Sequence, residues 1–132
     1  MRDRYLLDTH IFLWSLSEPE RLSENVRTTI ASAEAELFFS AAAALEIVIK
    51  HRSGKLDLPI EPAAFIPSRL TAMHIVPLDM TMEHTLAISL LPRHHADPFD
   101  RMMIAQAQVE GLTFVTADAI ARRYPIRVLG AA

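Results

Sequence analysis

Short apolar runs alternate with stretches of helical periodicity along this chain, an order that leaves few architectures open. Tyr5-Leu6-Leu7-Asp8 reads as a buried strand with an acid at its tip. Glu36 to Ser40 and His74-Ile75-Val76-Pro77 read as a second and third strand, Leu112 to Thr116 as the clearest one, and Ile126-Arg127-Val128-Leu129 as a weaker last. Between them the pattern predicts helices over Thr9 to Leu16, Ser23 to Ala35 with Ser23 as N-cap, Ala41 to Lys50, Ala63 to Met73, and Thr81 to Leu90. A last helix over Asp100 to Glu110 is stopped by Gly111, and Leu91 to Phe99 is a loop broken by Pro92 and Pro98. The strands are apolar on successive residues, so both faces of their sheet need cover. The expected fold is α/β, a three-layer α/β/α arrangement around a parallel sheet of four or five strands, with Tyr5 to Asp8 central.

A chain of 132 residues suits one domain over 1–132, and its 51% apolar and 22% charged residues can fill a core. The absence of cysteine excludes a disulfide scaffold, a thiolate zinc or iron–sulfur site and a thiol nucleophile. A formal charge of −3 means that any nucleic-acid contact must use a local basic patch. The most apolar stretch, Leu37 to Ile49, is interrupted by Ser40 and Glu46 and is too short to span a bilayer, and the N-terminus does not read as a signal peptide. A soluble, cytoplasmic domain is expected.

In parallel α/β sheets, ligands sit outside the carboxyl ends of the strands. Acids gather at that edge. Asp8 ends the first strand, Glu46 lies in the helix after the second, and Asp118 follows Thr116 by two residues. Asp100, opening its helix, can reach the same edge, and Asp97 lies one turn earlier. Singly, each reads as a cap or a solvated side chain, with Asp100 and Asp118 as good N-cap candidates. Together, with Asp8 inside Leu-Leu-Asp-Thr-His-Ile-Phe and Glu46 inside Ala-Leu-Glu-Ile-Val-Ile, they are carboxylates in apolar surroundings that need a cationic partner. Hard oxygen ligands without cysteine or paired histidines suit Mg²⁺ or Mn²⁺, and such a centre supports phosphodiester hydrolysis.

Leu-Leu-Asp8-Thr-His, Glu46-Ile-Val-Ile-Lys50, Asp97-Pro-Phe-Asp100-Arg-Met-Met-Ile-Ala-Gln-Ala and Phe-Val-Thr116-Ala-Asp118 resemble, in order, the four motifs of PIN-domain ribonucleases, most nearly the VapC-type toxins of bacterial toxin–antitoxin pairs. The resemblance implies a PIN-like fold and an endoribonuclease whose Asp8, Glu46, Asp100 and Asp118 bind Mg²⁺ or Mn²⁺. It further implies Thr116 as a hydroxyl that orients an acid or a water, and Asp97 as a supporting acid. An RNA substrate, a cognate antitoxin and a homodimer are the partners it implies. Apolar helices around Phe65 and Leu86 to Leu91 are the expected dimer surface; Phe12, Trp14, Leu45 and Val48 are the expected antitoxin surface.

The six histidines form no metal-ligand spacing: His94 and His95 are adjacent, and the others are scattered, although His95 can reach the rim of the site. Lys50, His51, Arg52 and Lys55 read equally as a solvated helix end and as a phosphate-backbone contact. Arg101 is placed to pair with Asp97 or Asp100 or to reach the scissile phosphate. A phosphoryl-transfer domain of the receiver or phosphatase kind would need a second acid beside the first and a late lysine, which this chain lacks; a binding module with capping acids would show no metal dependence.

Overall fold

The computed structural model describes residues 2–130; Met1, Ala131 and Ala132, part of the expected 1–132 domain, lie outside the described residues. Five strands, β1 (Asp3–Leu7), β2 (Ala35–Ser40), β3 (Val76–Leu78), β4 (Thr113–Thr116) and β5 (Val128–Gly130), form one sheet in the order β3-β2-β1-β4-β5. Every neighbouring pair is parallel, with Leu6 opposite Phe38 on one side and Phe114 on the other. The helices are α1 (Thr9–Ser17), α2 (Glu24–Ala31), α3 (Ala41–Arg52), α4 (Pro62–Ala72), α5 (Met82–Ala87) and α6 (Pro98–Glu110).

Successive strand residues point to opposite faces, so burial of both members of a pair reports cover on both sides. Leu6 with Leu7, Phe38 with Phe39 and Phe114 with Val115 are all buried. The fold is therefore the three-layer α/β/α sandwich expected, with five strands and β1 in the middle. Phe12 of α1 and Phe39 of β2 pack with ring centroids 4.4 Å apart and planes tilted by 40°, filling the core beneath the first helix. No helix among the described residues is long and apolar enough to cross a membrane.

Element boundaries moved where local chemistry overrode periodicity. α2 ends at Ala31 because Ser32 is already extended, and β2 starts at Ala35. β3 begins at Val76 rather than His74, since His74 adopts a left-handed φ of 55° and closes α4 while Ile75 donates its N–H back to Leu70. α6 begins at Pro98, and its N-cap is Asp97: the Asp97 carboxylate accepts the N–H groups of Phe99 and Asp100. Proline at the first helical position needs no N–H partner, which favours this start over one at Asp100. Gly111, at φ 68°, ends the helix as expected.

Candidate active site

The strand order places a topological switch point between β1 and β4. The chain leaves β1 toward β2 and leaves β4 toward β5, so a crevice opens where the two connections part. Asp8 stands at its floor. Its N–H bonds the carbonyl of Val115 at 2.9 Å, which fixes the end of β1 against β4. One carboxylate oxygen accepts the Thr9 N–H at 2.7 Å and caps α1; the other accepts the Thr116 hydroxyl at 2.6 Å. Thr116 in turn accepts the N–H of Asp118, tying the first acid to the fourth.

Glu46 is buried on α3 beside this floor. The Thr9 hydroxyl donates to its Oε1 at 2.7 Å, and Lys50, one turn on, donates to Oε2 at 2.6 Å. Thr9 thus joins Asp8 through its backbone to Glu46 through its side chain. The bond to Glu46 raises the Lys50 pKa, and the negative charges of Asp97 and Asp100 add to it.

Across the crevice, Asp97 caps α6 and leaves the Asp100 carboxylate free to face the other acids. His95 lies between the third and fourth acids, its Nε2 2.6 Å from Asp118 Oδ2 and 3.2 Å from Asp100 Oδ2. The other Asp118 oxygen accepts the Ile120 N–H at 2.9 Å, so Asp118 does cap the turn Ala119–Arg123. His95 Nε2, an Asp100 oxygen and an Asp118 oxygen all lie within 4.8 Å of one another. Asp8 and Glu46 stand outside that tight triad and reach Asp100 through their charge.

Burial pushes the Asp100 carboxyl up to about 7, and the charges of Asp8 and Asp97 push the same way. Burial also raises Asp8, against the opposing bonds from Thr116 and Thr9. Buried, mutually repelling carboxylates of this kind are stabilised by a cation, and a set of oxygen donors without thiolate suits a hard divalent ion. The residues fit such an ion.

The PIN domain family model matches residues 5–126, a span that contains every residue of this crevice. The chain belongs to the PIN domain family. Ribonuclease VapC22 of Mycobacterium tuberculosis is 28% identical to this PIN domain over 113 residues, covering 86% of this chain and 85% of that one. Among solved structures, VapBC2 from Rickettsia felis bound to a DNA fragment from its promoter superposes with a TM-score of 0.73 at 15% identity, over 98% of this chain and 99% of that one. FitAcB from Neisseria gonorrhoeae gives 0.61 at 19% identity over 96% of each chain.

Within this PIN domain, two sequence expectations change. Arg101 does not pair with Asp97 or Asp100: its guanidinium turns to the carbonyls of Pro92 at 3.1 Å, Ile88 at 3.2 Å and His95 at 3.4 Å. Side chains adjacent on a helix diverge by about 100°, so a neighbour of Asp100 in sequence points away from it in space. Asp97 acts on the acids through the helix it caps. Three contacts go beyond the sequence reading: the Thr9 bond to Glu46, the Glu46–Lys50 pair, and the link from His95, expected only at the rim, to Asp118. Thr9 and the Glu46–Lys50 pair were legible in principle, the latter as an i, i+4 pair. Its place two residues before Asp97 puts His95 at the rim, but no regular element or spacing marks Asp118 as its partner.

Proposed function

We propose that this chain is a metal-dependent endoribonuclease that hydrolyses RNA phosphodiester bonds, the toxin of a toxin–antitoxin pair, with residues 1–132 as one nuclease domain working in the cytoplasm. The observation that carries this reading is the meeting of Asp8, Asp100 and Asp118 at the switch-point crevice of a PIN domain, with buried Glu46 beside them. The similarity to a protein named Ribonuclease VapC22, and the fold shared with VapBC structures, support both the activity and an antitoxin partner.

Asp8, Glu46, Asp100 and Asp118 would hold Mg²⁺ or Mn²⁺. Bound there, the ion supplies activation of water near neutral pH and charge to steady the departing oxygen. The chain's own residues prepare the place for it. Thr116 and the Thr9 N–H hold both oxygens of Asp8; the Thr9 hydroxyl and Lys50 hold both oxygens of Glu46. Asp97, by capping α6, keeps Asp100 directed inward. Lys50, paired with Glu46 but 39% exposed in its side chain, would offer positive charge to an RNA backbone.

An antitoxin would meet the exposed part of the neighbouring surface. Phe12 is fully buried and cannot contact a partner, whereas Leu45, Val48 and Ile49 on α3 are exposed and Trp14 is half-buried under Arg21. A homodimer would use Met82, Leu86 and Leu90; Phe65 and Leu91 are buried in the chain's own core.

The test is RNA cleavage by the purified chain. Cleavage should require Mn²⁺ or Mg²⁺, stop with EDTA, and fall at least about 100-fold in Asp8→Asn, Glu46→Gln and Asp100→Asn while the variants stay folded. Full activity in EDTA would refute the metal mechanism. Growth arrest by the active chain alone, relieved by an antitoxin gene, tests the toxin role. A folded, active chain that is harmless when expressed alone would leave only the nuclease.

A further inference from the structure

His95 is held by more contacts than a loop residue needs. Its N–H and that of His94 both donate to the buried Tyr124 hydroxyl, at 2.8 and 3.1 Å, and its carbonyl accepts from Arg101. These contacts fix the backbone of the segment between the 3-10 turn Ile88–Leu90 and α6. The ring is fixed separately. Nδ1 lies 3.1 Å from the backbone nitrogen of Asp97, whose N–H can only donate. Nδ1 must therefore carry a lone pair, and the proton of the neutral ring must sit on Nε2. That N–H faces Asp118 Oδ2 at 2.6 Å, with Asp100 Oδ2 at 3.2 Å.

A nitrogen that bears a proton cannot also ligate a metal. Distance alone would make His95, Asp100 and Asp118 a three-ligand site, but the Asp97 N–H removes the imidazole from the ligand set and makes it a donor. We propose that His95 is a positioning residue: its Nε2–H pins the Asp118 carboxylate toward Asp100 so that the two acids turn their unused lone pairs to one divalent cation. This rests on the nuclease reading above and adds to it a nitrogen-free ligand set and a residue outside the four acids that sets cation affinity. Asp118 is the most exposed of those acids, 36% in its side chain, and its carboxylate is otherwise tied only by the Ile120 N–H. Without His95 it can rotate toward water. Donors that orient a ligand carboxylate typically contribute tenfold to a hundredfold in metal affinity.

The experiment is Mn²⁺ binding by calorimetry to the full chain, paired with pulsed EPR of the bound ion and thermal melting of each variant. His95→Ala should bind Mn²⁺ at least about tenfold more weakly than wild type, and His95→Gln, whose amide nitrogen reaches the Nε2 position as a donor, should recover most of that loss. The wild-type EPR spectrum should show no directly coordinated nitrogen. Direct nitrogen coupling would overturn the proposal and make His95 a ligand. Unchanged affinity in His95→Ala, or no recovery in a folded His95→Gln, would overturn it as well. If the folded wild-type chain binds no Mn²⁺, the metal-dependent nuclease reading fails and this inference falls with it, an outcome distinct from the others because it shows in the wild type.

Discussion

Asp100 concentrates the physical problem of this site in one residue. Its carboxyl sits among Asp8, Asp97 and Glu46 in partial burial, and the proton it would ordinarily lose near 3.8 is kept to about 7. A carboxyl whose pKa is higher folded than unfolded binds its proton more tightly in the native state. Its stabilising contribution is therefore complete below 3.8 and lost as pH rises through about 7. Asp8, also raised by burial, slopes the same way. Metal-free protein should melt at progressively lower temperature between pH ~5 and ~7.5, and Asp100→Asn, which has no proton to lose, should lose less over that range. Saturating Mn²⁺ should abolish the difference, because the ion takes the place of the proton; calorimetry in buffers of differing ionisation enthalpy should then register proton release at pH ~6.5. Parallel melting profiles for wild type and Asp100→Asn would show that Asp100 is an ordinary exposed acid.

At the scale of elements, the site is made by what starts and stops the helices around it. Asp8, Ser40, Asp97 and Asp118 each end an extended segment and cap the turn that follows. Asp8, Asp100 and Asp118 stand out in the sequence because acids at strand tips and helix starts leave a signature, whereas Glu46, in the second turn of α3, stands out only by its apolar neighbours. The sequence separates Asp97 as a supporting acid from Asp100 but puts the cap at Asp100, although Pro98 at the first helical position marks Asp97 as the cap. Arg101 and His95 were harder. Their roles depend on the path of the segment from Leu91 to Asp97, which has no period, and on a hydroxyl from Tyr124 far along the chain. Arg101 ties that segment, by the carbonyls of Pro92 and His95, to the preceding turn, by that of Ile88, and Arg101→Ala should release it. The expected loss is about 1–3 kcal/mol, lowering the melting temperature by roughly 5 °C. Amide exchange should quicken at residues 93–96 while the sheet stays protected, and Arg101→Lys should not restore it, since an ammonium cannot fork across three carbonyls. Unchanged exchange in that segment would remove Arg101 from its support.

The whole molecule presents one functional edge, set by topology. Because β1 is central and the chain turns opposite ways after β1 and β4, the one place among the described residues where two strand ends open a crevice between diverging connections is the one that carries Asp8, Thr116 and Asp118. Away from it, α5 and the following turn carry Met82, Leu86 and Leu90, spaced four residues apart and exposed by 73%, 63% and 85%. Met82 and Leu86 share one face of α5, and Leu90 of the following 3-10 turn adds a third large apolar side chain that no other described residue covers. Alternation of helix and strand made the sheet legible, but it could not tell Leu86 and Leu90 from Phe65, since all three lie on apolar helices and only packing sorts inside from outside. A second copy is the partner expected for that face. Two symmetric patches meeting across a two-fold axis would cover each other, as isologous contacts do. The chain should therefore sediment as a dimer at micromolar concentration. Leu86→Glu with Leu90→Glu should yield folded monomer with its Mn²⁺ affinity intact, because charges there disturb no core contact and lie outside the acid crevice. A wild-type chain that sediments only as monomer, or a double variant that remains a dimer, would show that this face does not join two copies.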